Sequence, residues 1–88
     1  MRVELFGVPR LLAGRRALDV EPLGPSLADT ARALSTACPA LVGPVLDPAS
    51  GWLVEGYTFA IDTRFVREPA TLVPPRATLL LVASQAGG

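Results

Sequence analysis

The first stretch of the chain alternates between polar and apolar residues. From residue 2 to residue 6 the order is Arg, Val, Glu, Leu, Phe, which places Val3 and Leu5 on one face of a half-buried strand. Gly7 and Pro9 then end the pattern. The chain is therefore predicted to begin with a strand at the start of a sheet.

A second alternating segment covers residues 17–20 and follows a predicted turn at residues 14–16. Its apolar members, Leu18 and Val20, again fall on one face. The short separation from the first strand favours a hairpin between the two segments.

The middle of the chain carries the pattern of one amphipathic helix. Prolines and a glycine at residues 22–25 break the chain, Ser26 is a suitable N-cap, and Asp29 lies in the first turn. Pro39 ends the pattern. The apolar residues recur at spacings of four, three and four along one face: Leu27, Ala31, Leu34 and Cys38. This stripe predicts a helix that packs on the sheet.

The second half of the chain contains further strand patterns. Residues 39–51 combine proline and glycine with apolar residues, which predicts an ordered loop with short helical turns. A turn is predicted at Pro74-Pro75. Three strands are predicted at residues 57–61, 65–66 and 78–82.

The element order strand, strand, helix, strand, strand, strand predicts an α+β fold with a mixed sheet and one main helix on one face. The right-handed crossover rule places the later strands beside the first. In the last strand Leu79 and Leu81 face the helix, so Leu80 and Val82 lie on the opposite face. An exposed apolar face of a sheet is typical of a binding surface for a partner protein.

Composition limits the classes of function. Half of the 88 residues are hydrophobic and 18% are charged, which predicts one folded domain at residues 1–82 with a flexible tail at 83–88. The net charge is zero and the eight arginines are scattered, which argues against nucleic-acid binding. The longest apolar run, residues 79–83, is too short to cross a membrane. We therefore expect a cytoplasmic protein without a membrane role.

The side chains offer little for catalysis. The chain has no histidine and one cysteine, so the sequence provides no His-dependent nucleophile, thiolate zinc cluster or disulfide. Cys38 lies on the apolar helix stripe and is expected in the core. Trp52 and Tyr57 are expected to anchor the core or a loop. The protein is therefore predicted not to be an enzyme and to bind no metal or cofactor.

The end of the chain differs from the rest. Residues 83–88 carry no large apolar side chain, which predicts a tail that reaches roughly 20 Å beyond the domain at about 3.3 Å per residue. Gly87 and Gly88 lack Cβ atoms and can thread a narrow channel, with Ala86 before them. An ATP-dependent enzyme could adenylate the Gly88 carboxylate, and a sulfur nucleophile could then form a thiocarboxylate.

These features together resemble the ubiquitin-like sulfur carriers of the MoaD/ThiS type, in particular the small subunit of molybdopterin synthase. The resemblance covers nearly the whole chain. The residues that carry it are Val3, Leu5, Phe6, Gly7, Arg10 and Leu12 in the opening strand and its turn, the helix at 27–34, the hairpin at 59–66 around Asp62, and residues 79–82 leading to Gly87-Gly88.

The resemblance implies a β-grasp fold and a carrier role. The Gly88 carboxylate would be adenylated by a ubiquitin-activating-type adenylyltransferase that uses ATP and Mg, and would receive sulfur from a donor such as a cysteine desulfurase. The acceptor would be the large subunit of molybdopterin synthase. The resemblance also suggests an apolar docking patch with Phe65, Val82 and Leu80, although these residues could equally occupy ordinary core positions.

Several functions remain open from the sequence. Similar carriers serve thiamine, tRNA thiolation and cysteine synthesis, so the partner could be another sulfur-accepting enzyme. A ubiquitin-like modifier attached to target lysines and a non-reactive β-grasp interaction module also fit the sequence. Arg10 and Arg64 are expected to be solvated charges beside the patch.

Overall fold

The computed structural model describes residues 1–84, which form an α+β fold. The first two strands are each followed by an α-helix, a 3-10 helix follows the longer α-helix, and three strands complete the order. Their bounds are β1 Arg2–Leu5, α1 Val8–Ala13, β2 Ala17–Asp19, α2 Leu27–Ala37, the 3-10 helix Pro39–Leu41, β3 Tyr57–Ile61, β4 Arg64–Val66 and β5 Thr78–Ala83. No helix within residues 1–84 is long and apolar enough to span a membrane.

The strands form one mixed sheet in the order β2-β1-β5-β3-β4. Strands β1 and β5 are parallel, whereas the pairs β1–β2, β3–β5 and β3–β4 are antiparallel. Of the later strands, which the sequence analysis placed beside the first, β5 is the one that pairs with β1. This position makes β5 the central strand of the sheet.

One face of the sheet and helix α2 enclose the core. Val3, Leu79, Leu81 and Phe59 are fully buried in the sheet, and Leu34 is fully buried on the helix. At about 25 cal/mol per Å² of apolar surface removed from water, such residues supply the main stabilisation of the fold. The predicted helix stripe is confirmed, because all four of its members are buried: Leu27, Ala31, Leu34 and Cys38.

Helix α2 begins at the predicted cap. The Ser26 hydroxyl accepts a hydrogen bond from the Asp29 N–H at 3.2 Å, and the Asp29 carboxylate accepts one from the Ser26 N–H at 3.0 Å. This reciprocal pair is a capping box, which satisfies two N–H groups that the helix leaves without partners. The box fixes where the chain enters the helix above the sheet.

The sequence analysis predicted the pairing of the first two strands correctly, but the segment that connects them wrongly. The strands are antiparallel neighbours, but helix α1 joins them instead of a turn, and Arg10 and Leu12 belong to that helix. Pro9 occupies the first turn of α1, where its missing N–H costs nothing, and Gly14 ends the helix in the left-handed conformation at φ 67°. Pro9, interpreted as the end of the first strand, and Gly14, interpreted as part of a turn, thus mark the two ends of a six-residue helix.

The predicted ordered loop after α2 is confirmed. It begins with the 3-10 helix and buries Leu41, Val45 and Leu46 completely. Arg67 stabilises the segment between this loop and β3. Its guanidinium donates hydrogen bonds to the carbonyl oxygens of Leu53, Val54 and Tyr57. Trp52, half-buried, packs against Phe59 with ring centroids 5.8 Å apart. The expected anchoring roles of Trp52 and Tyr57 agree with their packing against the core.

Candidate functional site

The candidate site is the face of the sheet that points away from helix α2. The strand register sets its members, because alternate residues of each strand point to opposite faces. Leu80 of β5 pairs with Ala60 of β3, and Ala60 pairs with Phe65 of β4. Val82 pairs with Thr58 on the same face. The structure thus brings Phe65, Leu80 and Val82 together on one side of the sheet.

The exposure of these residues differs from that of the core positions beside them. Phe65 is 75% exposed, and Leu80 and Val82 are half-buried, whereas Leu79 and Leu81 are fully buried. A large aromatic side chain is usually among the more buried residues of a domain. Phe65 is therefore not a core residue in this chain.

Phe6 extends this surface and was missed as a site residue. Its N–H donates to the Leu81 carbonyl at 3.2 Å, which continues the parallel pairing of β1 with β5 and places Phe6 beside Val82. Its side chain is 37% exposed. The alternation of the first strand contained the signal, because Phe6 follows Arg2 and Glu4 on the face opposite Val3. We call Phe6, Phe65, Leu80 and Val82 the apolar patch.

Arg10 borders the apolar patch in a fixed position. Its Nε donates to the Leu5 carbonyl at 2.9 Å, and its guanidinium lies over the Phe6 ring at 5.1 Å from the centroid. The expectation of a solvated charge is therefore wrong for Arg10, which is half-buried and bonded to the end of β1. Arg64, at the start of β4, is exposed as expected.

Strand β5 connects the apolar patch to the C-terminal segment of the chain. The strand continues to Ala83, one residue into the segment that the sequence analysis assigned to the tail. The Ser84 N–H then donates to the Gly56 carbonyl at 2.8 Å. The predicted reactive residues Gly88, Gly87 and Ala86 lie outside the described residues. The described chain therefore ends at the central strand, two residues after Val82.

The described residues hold no group of three His, Cys, Asp or Glu side chains that could bind a metal ion. Cys38 is buried in the core, away from the apolar patch. Hydrogen bonds from the Ser26 hydroxyl and backbone lower the pKa of Asp29, but this carboxylate serves the helix cap. The patch offers mainly apolar contacts. Glu4 is the cross-strand neighbour of Leu80 on the same face, and its carboxylate lies 3.3 Å from the Arg2 Nε.

Comparisons with known proteins found similarity in solved structures. No protein-family model and no curated protein sequence matches the chain. The crystal structure of SAMP1 from Haloferax volcanii aligns with a TM-score of 0.81 and 24% identity, covering 99% of this chain and 97% of that one.

Two further solved structures agree. The crystal structure of H. volcanii small archaeal modifier protein 1 aligns with a TM-score of 0.77 and 23% identity over 91% of each chain. The solution structure of the H. volcanii HVO 2177 protein aligns with a TM-score of 0.69 and 17% identity over 99% of this chain and 84% of that one. At these identities the similarity shows the fold. The chain has the α+β β-grasp fold of ubiquitin-like proteins.

Proposed function

We propose that this chain is a ubiquitin-like sulfur carrier whose Gly88 carboxylate is adenylated and then converted to a thiocarboxylate that donates sulfur. The observation that carries the proposal is the course of β5. This strand presents Leu80 and Val82 on the apolar patch and, directly after Val82, leads toward the sequence Gly87-Gly88. A partner that covers the patch would therefore have the end of the chain within reach.

The chemistry belongs to the end of the chain and the partner enzyme. A carboxylate oxygen of Gly88 would attack the α-phosphate of ATP, form the acyl-adenylate and release pyrophosphate. A hydrosulfide sulfur would then attack the carbonyl carbon and expel AMP, leaving the thiocarboxylate. If the sulfur arrives as a persulfide, the product is an acyl disulfide, which a thiol of the partner cleaves while a disulfide forms.

The proposed partners divide these tasks. A ubiquitin-activating-type adenylyltransferase would bind ATP and Mg, and a donor such as a cysteine desulfurase would supply the sulfur. Phe65, with most of its ring exposed, would be the main anchor on the enzyme, with Val82 and Leu80 beside it. Aromatic anchors of this kind dominate many protein interfaces. Arg10 would hold the Phe6 edge of the patch in place.

Molybdopterin formation is the pathway that we propose to test first, with the large subunit of molybdopterin synthase as the acceptor. Carriers for thiamine, tRNA thiolation or cysteine synthesis would use the same chemistry with another sulfur-accepting enzyme. The acceptor can be identified by supplying the thiocarboxylated chain to each enzyme in turn. Sulfur transfer to a thiazole synthase instead of molybdopterin synthase would reject the first assignment.

A second candidate function is a ubiquitin-like protein modifier. The observation that favours it is the fold similarity to a protein named small archaeal modifier protein 1. All eight basic residues of this chain are arginines, so a lysine amide from Gly88 would have to form on another protein. The shared intermediate of the two functions is the acyl-adenylate.

Mass analysis of the C-terminal peptide distinguishes these functions. The purified chain would be incubated with its adenylyltransferase, ATP, Mg and sulfide, and then digested. Replacement of one oxygen by one sulfur on the peptide that contains Gly88 supports the carrier. A covalent adduct with a second protein, without thiocarboxylate, supports the modifier. An unmodified peptide under conditions in which the enzyme activates another carrier would contradict both functions.

A further inference from the structure

Strand β2 forms one edge of the sheet, and within residues 1–84 no strand pairs with its outer side. The Val20 N–H donates to the Met1 carbonyl at 2.9 Å, and the Met1 amino group donates to the Val20 carbonyl at 3.0 Å. In an antiparallel pair the backbone polar groups of successive residues point to alternate sides. Ala17 and Asp19 therefore direct their N–H and C=O groups away from β1, where another extended chain could pair with them.

A cavity of about 410 Å³ lies directly beside this edge, between the end of β2 and helix α2. Its apolar lining comes from both elements and the loop between them: Val20, Leu23, Ala33 and Ala37. Ala33 is half-buried, and the Leu23 side chain is fully exposed at 103%. Apolar side chains of α2, of the end of β2 and of the loop between them therefore line a groove beside the edge of the sheet.

Charge indicates which kind of chain fits the groove. Asp19 and Glu21 are exposed at alternate positions of the edge, and both line the cavity. Asp29 also lines it, but its carboxylate is held in the capping box. Arg32 is the cation of the lining and stands on the helix side. At the end of the strand edge that borders the cavity the charge is therefore negative, which favours basic side chains on the part of an added strand that lies there. Arg15 and Arg16 precede β2 at its other end, so the preference applies to the cavity end alone. Arg2 lies across from Asp19 on the β1 side.

We infer that the β2 edge and the adjoining cavity bind an extended basic peptide segment of a partner protein. The segment would pair with Ala17 and Asp19 as a sixth strand. Its alternate apolar side chains would enter the cavity under α2, and its basic side chains would meet Asp19 and Glu21. This is strand addition, in which backbone bonds supply affinity and the pocket supplies specificity.

This surface is separate from the apolar patch. The cavity lies on the helix side of the sheet beyond β2, whereas the patch lies on the opposite face around β5. The inference does not depend on Gly88 or on sulfur chemistry. A chain with both surfaces could hold one partner at the groove while another enzyme acts on the end of the chain.

The test uses the full chain and a synthetic probe, a capped peptide that alternates valine with arginine. Binding would be followed by backbone amide NMR, with the same peptide carrying glutamate in place of arginine as the control ligand. We expect the arginine peptide to shift the amides of Ala17, Asp19 and Ala33 and to slow hydrogen exchange at Ala17 and Asp19. The glutamate peptide should bind at least about tenfold more weakly.

Two variants locate the site. Ala33→Arg fills the cavity and Glu21→Arg reverses the edge charge, and each should weaken binding of the arginine peptide at least about tenfold. Ala40→Arg and Glu55→Arg are the matched controls at exposed positions outside the cavity, and should bind normally.

Three results would overturn the inference. The first is equal binding of the arginine and glutamate peptides, and the second is unchanged hydrogen exchange at Ala17 and Asp19 when the peptide is bound. The third is a doubled molecular mass of the free chain with Ala17 and Asp19 already protected. That result would show that a second copy of this chain occupies the edge.

Discussion

Phe65 is the most exposed aromatic residue of the described chain. It lies on edge strand β4 with 75% of its surface exposed, while its cross-strand neighbour Ala60 is buried. A small buried neighbour beside a large exposed ring leaves the ring free to enter a pocket of another protein. Val82 differs from Phe65 because its side chain is half-buried. A charged residue at position 82 would therefore destabilise the sheet as well as change the surface.

We predict that Phe65→Arg weakens binding to the activating enzyme at least about thirtyfold, because a buried aromatic anchor at an interface contributes about 2 kcal/mol or more. The free energy of unfolding should change by less than about 0.5 kcal/mol, since the ring is exposed in the free chain. Titration calorimetry and chemical denaturation measure the two quantities. Leu11→Arg, at an exposed position on α1, is the control and should bind normally. Unfolding of Phe65→Arg would place the ring in the core.

The Ser26–Asp29 pair gives a prediction that depends on pH. Hydrogen bonds from Ser26 lower the pKa of Asp29 in the folded chain. A lowered pKa stabilises the fold above the pKa that Asp29 has when unfolded, and this contribution is lost as the pH falls through the folded value. Ser26→Ala should therefore destabilise the fold at neutral pH, because the helix loses a cap that also favours the ionised Asp29, and the cost should shrink in acid.

Denaturant unfolding of both chains from neutral to acidic pH measures this cost. Ser35→Ala is the control, because the Ser35 hydroxyl donates to the Ala31 carbonyl without involving a carboxylate. The effect of that substitution should not vary with pH in the same window. A Ser26→Ala cost that stays constant into acid would mean that Asp29 does not depend on the hydroxyl.

Among the elements, the β3–β4 hairpin contains a strained turn. Asp62 and Thr63 have φ angles of 49° and 71°, so both central residues are in the left-handed region. Two-residue turns with this geometry favour Asn-Gly, because a β-branched residue is poorly suited to positive φ. We predict that Thr63→Gly stabilises the protein by about 1 kcal/mol and raises Tm by about 4–8 °C.

Thermal unfolding measures the change. The matched control is Thr78→Gly, which makes the same replacement in β5, where the backbone is extended. Glycine weakens a strand interior, so this control should lower Tm. A decrease in Tm for Thr63→Gly would show that the threonine side chain contributes more at the turn than its backbone strain costs.

The sequence predicted the strands and α2 because their patterns are long or strongly alternating. Helix α1 could not be found this way, since six residues are too few to show helical periodicity. Its ends carry Pro9 and Gly14, which are also ordinary turn residues, and only the spacing between them fits a capped helix. The groove beside β2 depends on the distance between α2 and the end of that strand. That distance is a property of packing and has no local sequence signal.

At the scale of the whole molecule, the residues that stabilise the described fold are different from those proposed to react. The buried core extends from Val3 to Leu81, and the last hydrogen bond along the described chain is the one from Ser84 to Gly56. Gly87 and Gly88 follow three and four residues later in the sequence. Changes at these two glycines therefore remove none of the described contacts that hold the sheet and α2 together.

The last prediction follows from this separation. Deletion of Gly88, or Gly87→Leu, should leave Tm within about 2 °C of the original, since changes outside the core are worth less than about 0.5 kcal/mol. Both changes should abolish formation of the acyl-adenylate and thiocarboxylate, because the deletion displaces the carboxylate and the leucine blocks a channel sized for backbone. Thermal unfolding and C-terminal mass analysis after incubation with the adenylyltransferase measure the two effects. Gln85→Leu, which places the same leucine side chain two positions earlier, is the control and should be activated. Normal thiocarboxylate formation without Gly88 would refute the carrier mechanism, whereas a large fall in Tm would show that the end of the chain is part of the folded domain.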